Sequence, residues 1–194
     1  MKKLIAVLLG FAVVLCACAC LAEENAEELN NLGVMYFNGT DVEQSYETAM
    51  DYFRRAADLG YAEAQYNLGL MYDLGLGAEQ SYEKAAEYYQ MAADQGLAEA
   101  QNSMGSLHIE GLGVEQSYEK ALKYFRLAAD QGHPGAQYNL GQMYEHGLGV
   151  EQSYETAADY YWKGYKGGDA DAQMALGVLY RDGKIPKDYA PKED

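Results

Sequence analysis

Cysteine is nearly missing from this chain. Of 194 residues only Cys16, Cys18 and Cys20 are cysteines, and all three lie close to the N-terminus. The rest of the chain therefore has no disulfide framework, and its stability has to come from packing. Long apolar runs are missing too. Beyond residues 4–15 no segment is apolar enough to cross a bilayer, which takes about 20 residues. Positive charge is scarce: 14 Lys and Arg stand against 30 Asp and Glu, a net charge of −16. So few cations cannot displace counterions from a phosphate backbone, which excludes DNA and RNA as partners. The acidity attracts a basic partner instead, and it helps to keep an exported protein soluble. Motifs of catalysis are also absent. The histidines His108, His133 and His146 form no i, i+4 pair and no His-Glu-x-x-His string, and there is no Gly-x-Ser-x-Gly, phosphate loop or dinucleotide fingerprint. Neither a metal nor a cofactor is expected.

Residues 1–22 have the three-part build of a secretory signal peptide: Lys2 and Lys3, an apolar stretch over residues 4–15, then small residues. Cleavage after Ala22 leaves residues 23–194 as a periplasmic or extracellular protein. Removal of Lys2 and Lys3 takes its charge from −16 to −18. Ala17-Cys18-Ala19 offers a second cleavage point. In a further alternative Leu15-Cys16-Ala17-Cys18 acts as a bacterial lipobox. Cys18 would then be lipidated and would hold the protein to a membrane face, although Cys16 departs from the small residue usual in that pattern.

What the chain has in abundance is repetition. Glu-Gln-Ser-Tyr-Glu begins at Glu43, Glu79, Glu115 and Glu151, a constant step of 36 residues. A Leu-Gly pair, or its equivalent, keeps that step at Gly33, Gly69, Gly105, Gly141 and Gly177. A fixed period of this length means one supersecondary unit stacked on copies of itself. In the copy from Ala62, Leu68, Leu70, Met71 and Tyr72 recur at helical spacing, and Gly75-Leu76-Gly77 ends that helix. Ser81 is a suitable N-cap for a second helix, which carries Tyr82, Ala85, Ala86, Tyr89, Ala92 and Ala93 on one side. The spacing predicts an all-α solenoid of helix–turn–helix units. Four full copies (26–61, 62–97, 98–133 and 134–169) precede a partial copy over 170–190. Of 19 tyrosines, 14 occupy fixed slots and read as packing residues; Tyr66 and Tyr138 stand apart on the first helices. His108 fills a tyrosine slot.

Gln65-x-x-Leu68-Gly69-x-x-Tyr72 followed by Ala85-x-x-x-Tyr89 resembles the tetratricopeptide signature, with Gln in place of Trp. The 36-residue period and the Ala-Glu-Ala-Gln…Gly-x-Gly…Tyr-Glu-Lys-Ala string resemble the Sel-one-like repeat family more closely, over about residues 26–190. The resemblance implies an α/α superhelix whose first helices line the concave face. It also implies adaptor or scaffold work in bacterial envelopes and in host or signalling complexes.

Mapped slot by slot, that face comprises Asn30, Val34 and Phe37; Glu63, Tyr66, Leu70 and Asp73; Glu99, Asn102, Ser106 and Ile109; Tyr138, Gln142 and Glu145; Met174, Val178 and Arg181. These positions vary between copies more than the tyrosine slots do. Their mixture of acidic, aromatic and apolar residues suits a basic, partly hydrophobic protein or peptide. Glu63, Asp73, Glu99 and Glu145 are expected to be exposed. The sequence thus predicts a monomeric, exported binding scaffold without enzymatic activity. Two alternatives stand beside it. One is an envelope-acting hydrolase of the β-lactamase-like type, a label given to some cysteine-rich relatives. Against it, this chain lacks their cysteine pairs, and its Ser-x-x-Lys strings (Ser81 with Lys84, Ser117 with Lys120) sit at repeated helix starts. The other is a spacer with no partner, or a fragment of a longer array. In the partial copy, residues 170–182 are expected to form a capping helix through Ala172, Leu176, Gly177 and Tyr180. Ile185 and Pro186 should close its end, and residues 187–194 should be mobile.

Overall fold

A computed structural model describes residues 25–186 and 188–190. The expected signal peptide, its expected cleavage point at Ala22 and the lipidation candidate Cys18 lie outside the described residues, as do Lys187 and residues 191–194. Among the described residues there are nine α-helices and no strand. They are α1 (Ala26–Asn38), α2 (Tyr46–Asp58), α3 (Ala62–Leu74), α4 (Tyr82–Asp94), α5 (Ala98–Glu110), α6 (Tyr118–Asp130), α7 (Pro134–His146), α8 (Tyr154–Lys166) and α9 (Ala170–Arg181). The first eight pair consecutively into four hairpins, each packed on its successor, and α9 packs on the last of them.

The repeated Gln-Ser dipeptide builds the hairpin turn. The side-chain amides of Gln44, Gln80, Gln116 and Gln152 donate to the carbonyls of Phe37, Asp73, Ile109 and Glu145 at 2.6–2.8 Å, closing the end of the first helix. The next residue, Ser45, Ser81, Ser117 or Ser153, caps the second helix by accepting from the amide three residues on. Both helix ends are thus satisfied by adjacent residues.

The Leu-Gly glycine has a different cause. A Cβ on Gly33, Gly69, Gly105 or Gly141 would lie 2.4–2.5 Å from the ring of Phe53, Tyr89, Phe125 or Tyr161. Absence of a side chain lets that ring lie flat against the first helix. The second turn glycine serves the stack. A Cβ on Gly77 would lie 2.7 Å from the Tyr46 carbonyl oxygen, on the preceding hairpin. Asp41 occupies this slot in the first copy and keeps the positive φ of 62°.

The core consists of alanines and these rings. Ala49, Ala56, Ala85, Ala92, Ala121, Ala128 and Ala157 are fully buried and allow close helix approach. Stacked pairs, Tyr36 with Tyr52, Tyr72 with Tyr88, His108 with Tyr124 and Tyr144 with Tyr160, recur at centroid distances of 5.6–5.8 Å. His108 therefore takes the packing role its slot implies.

In the partial copy, α9 folds against α8 and buries Ala172, Leu176 and Leu179, with Ile185 closing the end at 3% exposure. Two expectations fail here. Gly177 and Pro186 are exposed rather than packed. The expected mobile tail is also not free at Tyr189. Its hydroxyl bonds to Asp159 Oδ1 at 2.6 Å and to the Glu155 carbonyl at 2.9 Å, while its own carbonyl accepts from the Tyr180 hydroxyl.

Candidate functional site

Successive first helices meet at four junctions: α1 with α3, α3 with α5, α5 with α7, and α7 with α9. These junctions are of two kinds, and the kinds alternate.

The first and third junctions have a phenylalanine floor, Phe53 or Phe125. An amide pair ties the helices: Asn67 Nδ2 donates to Asn30 Oδ1 at 2.9 Å, and Asn139 Nδ2 donates to Asn102 Oδ1 at 3.0 Å. Each junction holds an open pocket, mainly apolar in the first and mixed in the third. The first, of about 210 Å³, is lined by Val34, Phe37, Asn38, Phe53, Asn67 and Leu70. The other, of about 150 Å³, is lined by Ser106, Ile109, Glu110, Phe125, Asn139 and Gln142, with Met143 and Leu148. The first six residues of the second pocket are those of the first displaced by 72 positions, two repeats along.

The second and fourth junctions are filled. Tyr66 lies over Tyr89 with centroids 5.6 Å apart, and Tyr138 lies over Tyr161 at 5.7 Å. The deeper ring carries a hydroxyl that needs an acceptor. Asp73 Oδ2 accepts from Tyr89 at 3.1 Å, and Glu145 Oε2 accepts from Tyr161 at 2.6 Å. Burial pushes the pKa of both hydroxyls well above the usual tyrosine value, and the neighbouring carboxylates push it further. Where the floor ring is phenylalanine, the position of Asp73 and Glu145 is taken by Phe37 or Ile109. The acid and the hydroxyl occur together because each satisfies the other. A more polar groove of about 350 Å³ runs past the second junction, lined by Asp73, Tyr82, Ser103, Ser106, Leu107, Glu110 and Leu112. It shares Ser106 and Glu110 with the Phe125 pocket.

The candidate residues therefore divide. Val34, Phe37, Leu70, Ser106, Ile109 and Gln142 line the pockets, and Asp73 lines the groove. Asn30 is buried, at 7% exposure, and serves as a tie between helices rather than as a contact residue. Asn102 accepts the equivalent bond and is half-buried. Asp73 and Glu145 are half-buried hydrogen-bond acceptors, not the freely exposed acids expected; Glu63 and Glu99 are exposed. Tyr66 and Tyr138 cover the deeper rings. At the C-terminal end Met174 is 64% exposed, Val178 is half-buried, and Arg181 pairs with Asp182 at 2.8 Å on the surface. Phe53, Phe125, Asn67, Asn139 and Glu110 are pocket residues that the slot mapping missed. Comparing copies at a step of 72 rather than 36 matches Phe53 with Phe125 and Asn67 with Asn139, though Glu110 falls opposite Asn38.

The Ser-x-x-Lys strings are helix caps. Ser81 Oγ accepts from the Lys84 amide at 3.3 Å, while Lys84 Nζ sits 5.0 Å from the Tyr72 ring centre. Ser117 accepts from the Lys120 amide at 3.2 Å. Among the described residues no group of three or more His, Cys, Asp or Glu side chains is placed to hold a metal ion, and no helix is long and apolar enough to cross a membrane.

The Sel1 repeat matches residues 29–61, 62–97, 98–133, 134–169 and 170–190 of the chain. Two solved structures are similar along most of its length. A Sel1 repeat protein from Oxalobacter formigenes is 37% identical with a TM-score of 0.80, and the match covers 84% of this chain and 65% of that one. A protective antigen present in uropathogenic Escherichia coli strains is 39% identical with a TM-score of 0.78, over 82% of this chain and 34% of that one. The chain thus spans just under two thirds of the first relative's length and about a third of the second's. No curated protein sequence matches it significantly.

Proposed function

This chain belongs to the Sel1 repeat family, and from that premise we propose that it is an exported scaffold holding a basic, partly apolar protein segment along its first-helix face. Sel1 repeats commonly serve as protein-interaction scaffolds. The observation that carries the reading for this face is its pair of open pockets, each floored by a phenylalanine, beside an acid-lined groove. Fixed slots that only pack would be filled in every copy, as the tyrosine-filled junctions are. The net charge of −16 favours a basic partner and speeds its approach. The leader supports export, with lipidation at Cys18 as the variant of that reading that would keep the protein on a membrane face.

Site-directed photocrosslinking tests the face. A photoreactive residue at Leu70 or Ser106 looks into the pockets, while one at Glu87 or Lys123 is exposed on a second helix. With envelope extract, the first two are expected to trap a partner, with a yield that falls as salt rises. Equal trapping from all four positions would discard the first-helix face. Retention of the whole protein in the cytoplasm on fractionation would discard export.

A further inference from the structure

The two open pockets occupy matching positions two repeats apart, each with a phenylalanine and an asparagine, and this fixes a spacing for the partner. Phe53 and Phe125 floor them, Phe37 and Ile109 wall them, and Asn67 and Asn139 stand at their edges. Between them the groove carries Asp73, Ser103 and Glu110, and its own junction is closed by Tyr66 lying over Tyr89. Along the face the order is therefore apolar pocket, acidic polar groove, and a second pocket in which Ile109, Phe125, Met143 and Leu148 stand beside Asn139, Gln142 and the Ser106 and Glu110 shared with the groove. The half-buried amides Asn67, Asn139 and Gln142 line the pockets; each gives an N–H to a neighbouring side chain and keeps its carbonyl oxygen to accept from a peptide backbone.

Resting on the scaffold reading above, we infer that the face takes one extended segment with two bulky apolar anchors, in the Phe53 and Phe125 pockets, and a Lys or Arg between them facing Asp73 and Glu110. The spacing follows from the stack. Helices in contact lie about 8–10 Å apart, so pockets two repeats apart are separated by about 20 Å. An extended chain rises about 3.3 Å per residue, which places the anchors about six residues apart. A helical segment of that span would need about 13 residues at 1.5 Å each and would pair its backbone internally, with no use for the amides.

The test uses the full chain and a phage-displayed library of random 12-residue peptides. Selected peptides are expected to carry two large apolar residues about six apart, with a Lys or Arg between them. In synthetic copies, alanine at either anchor should weaken binding about tenfold, the scale of one buried aliphatic side chain. Moving one anchor by three residues should cost as much as removing it. A variant of the protein completes the test. Asn30→Tyr, Phe37→Asp, Phe53→Tyr and Asn67→Ser together give the first junction the residues that the second junction already has in the same slots. This variant should fold and lose the benefit of one anchor while keeping the other. If it does not fold, the alanine and spacing series on the unaltered protein still decides. Peptides that bind with a single anchor or without fixed spacing would overturn this inference and leave the scaffold reading intact. A library that yields no binder would overturn both.

Discussion

The same string, Leu-Gly-x-x-Tyr, has opposite surroundings in the interior of the stack and at its C-terminal end. In α3, Gly69 lies under the Tyr89 ring, and Gln65 is 3% exposed with its amide directed at the Ala57 carbonyl of the preceding hairpin. In α9, a Cβ on the matching Gly177 would meet nothing within 4 Å, and Gln173 is exposed. A repeat motif specifies complementarity; burial comes from the neighbour that fills it. Residue identity therefore does not reveal what a given copy contributes to stability.

Four measurements test that contrast. The largest effect is expected from ending the chain before Ala170. This uncovers Tyr161 and removes Leu176, Leu179 and Ile185, all at most 8% exposed. The loss should be about 5 kcal/mol, two or three large side chains at roughly 2 kcal/mol each, with increased binding of a dye specific for apolar surface. An unchanged melting midpoint would show that α9 covers nothing of consequence. Next come the glycines. Gly69→Ala forces a methyl against the Tyr89 ring and should cost about 2 kcal/mol by denaturant titration. Gly177→Ala, in an open helix interior, should instead stabilise by about 0.5–1 kcal/mol. Equal effects would remove the distinction between the two sites. The glutamines are a gentler version. Gln101 is 5% exposed, bonds to the Ala93 carbonyl at 3.3 Å and accepts from Gln131 at 2.8 Å. Gln101→Ala should cost about 1 kcal/mol, and Gln173→Ala should leave the midpoint unchanged.

The fourth measurement is silent near neutral pH. The Tyr89 and Tyr161 hydroxyls titrate higher in the folded protein than in the unfolded chain because burial disfavours the phenolate. A raised folded pKa adds stability that is fully present below the unfolded value of about 10 and declines as pH rises beyond it. Alkaline titration should therefore show tyrosinate absorbance from these rings appearing together with loss of helix. Tyr89→Phe combined with Tyr161→Phe should make that decline shallower. An equally steep decline in the double variant would place its origin elsewhere.

Much of the fold is legible in the residues. The 36-residue step, the serine caps and the turn glycines mark the hairpins, and Ala85, Tyr89 and Ala92 mark the buried face of α4. The site is less legible, for physical reasons. Asn30 looks like a surface residue until Asn67, 37 residues on, provides its partner. Asp73 looks like a free charge until the Tyr89 hydroxyl is seen to occupy it. The first contact joins neighbouring hairpins and the second joins the two helices of one hairpin, and a position-by-position alignment of copies shows neither. Tyr189 is a third case. Its charged, terminal surroundings suggest mobility, yet Asp159 lies within reach on α8.

Alternation of Phe53, Tyr89, Phe125 and Tyr161 gives the array a phase as well as a period. Repeat proteins change length by gaining or losing copies. Gain or loss of two neighbouring copies here would preserve the order of open and closed junctions. A single copy inserted or removed within the array would set two open pockets, or two filled junctions, side by side. Every helix would still find its neighbour, but the face would present a different order of pockets. The structural unit repeats every 36 residues, and the order of open and filled junctions every 72.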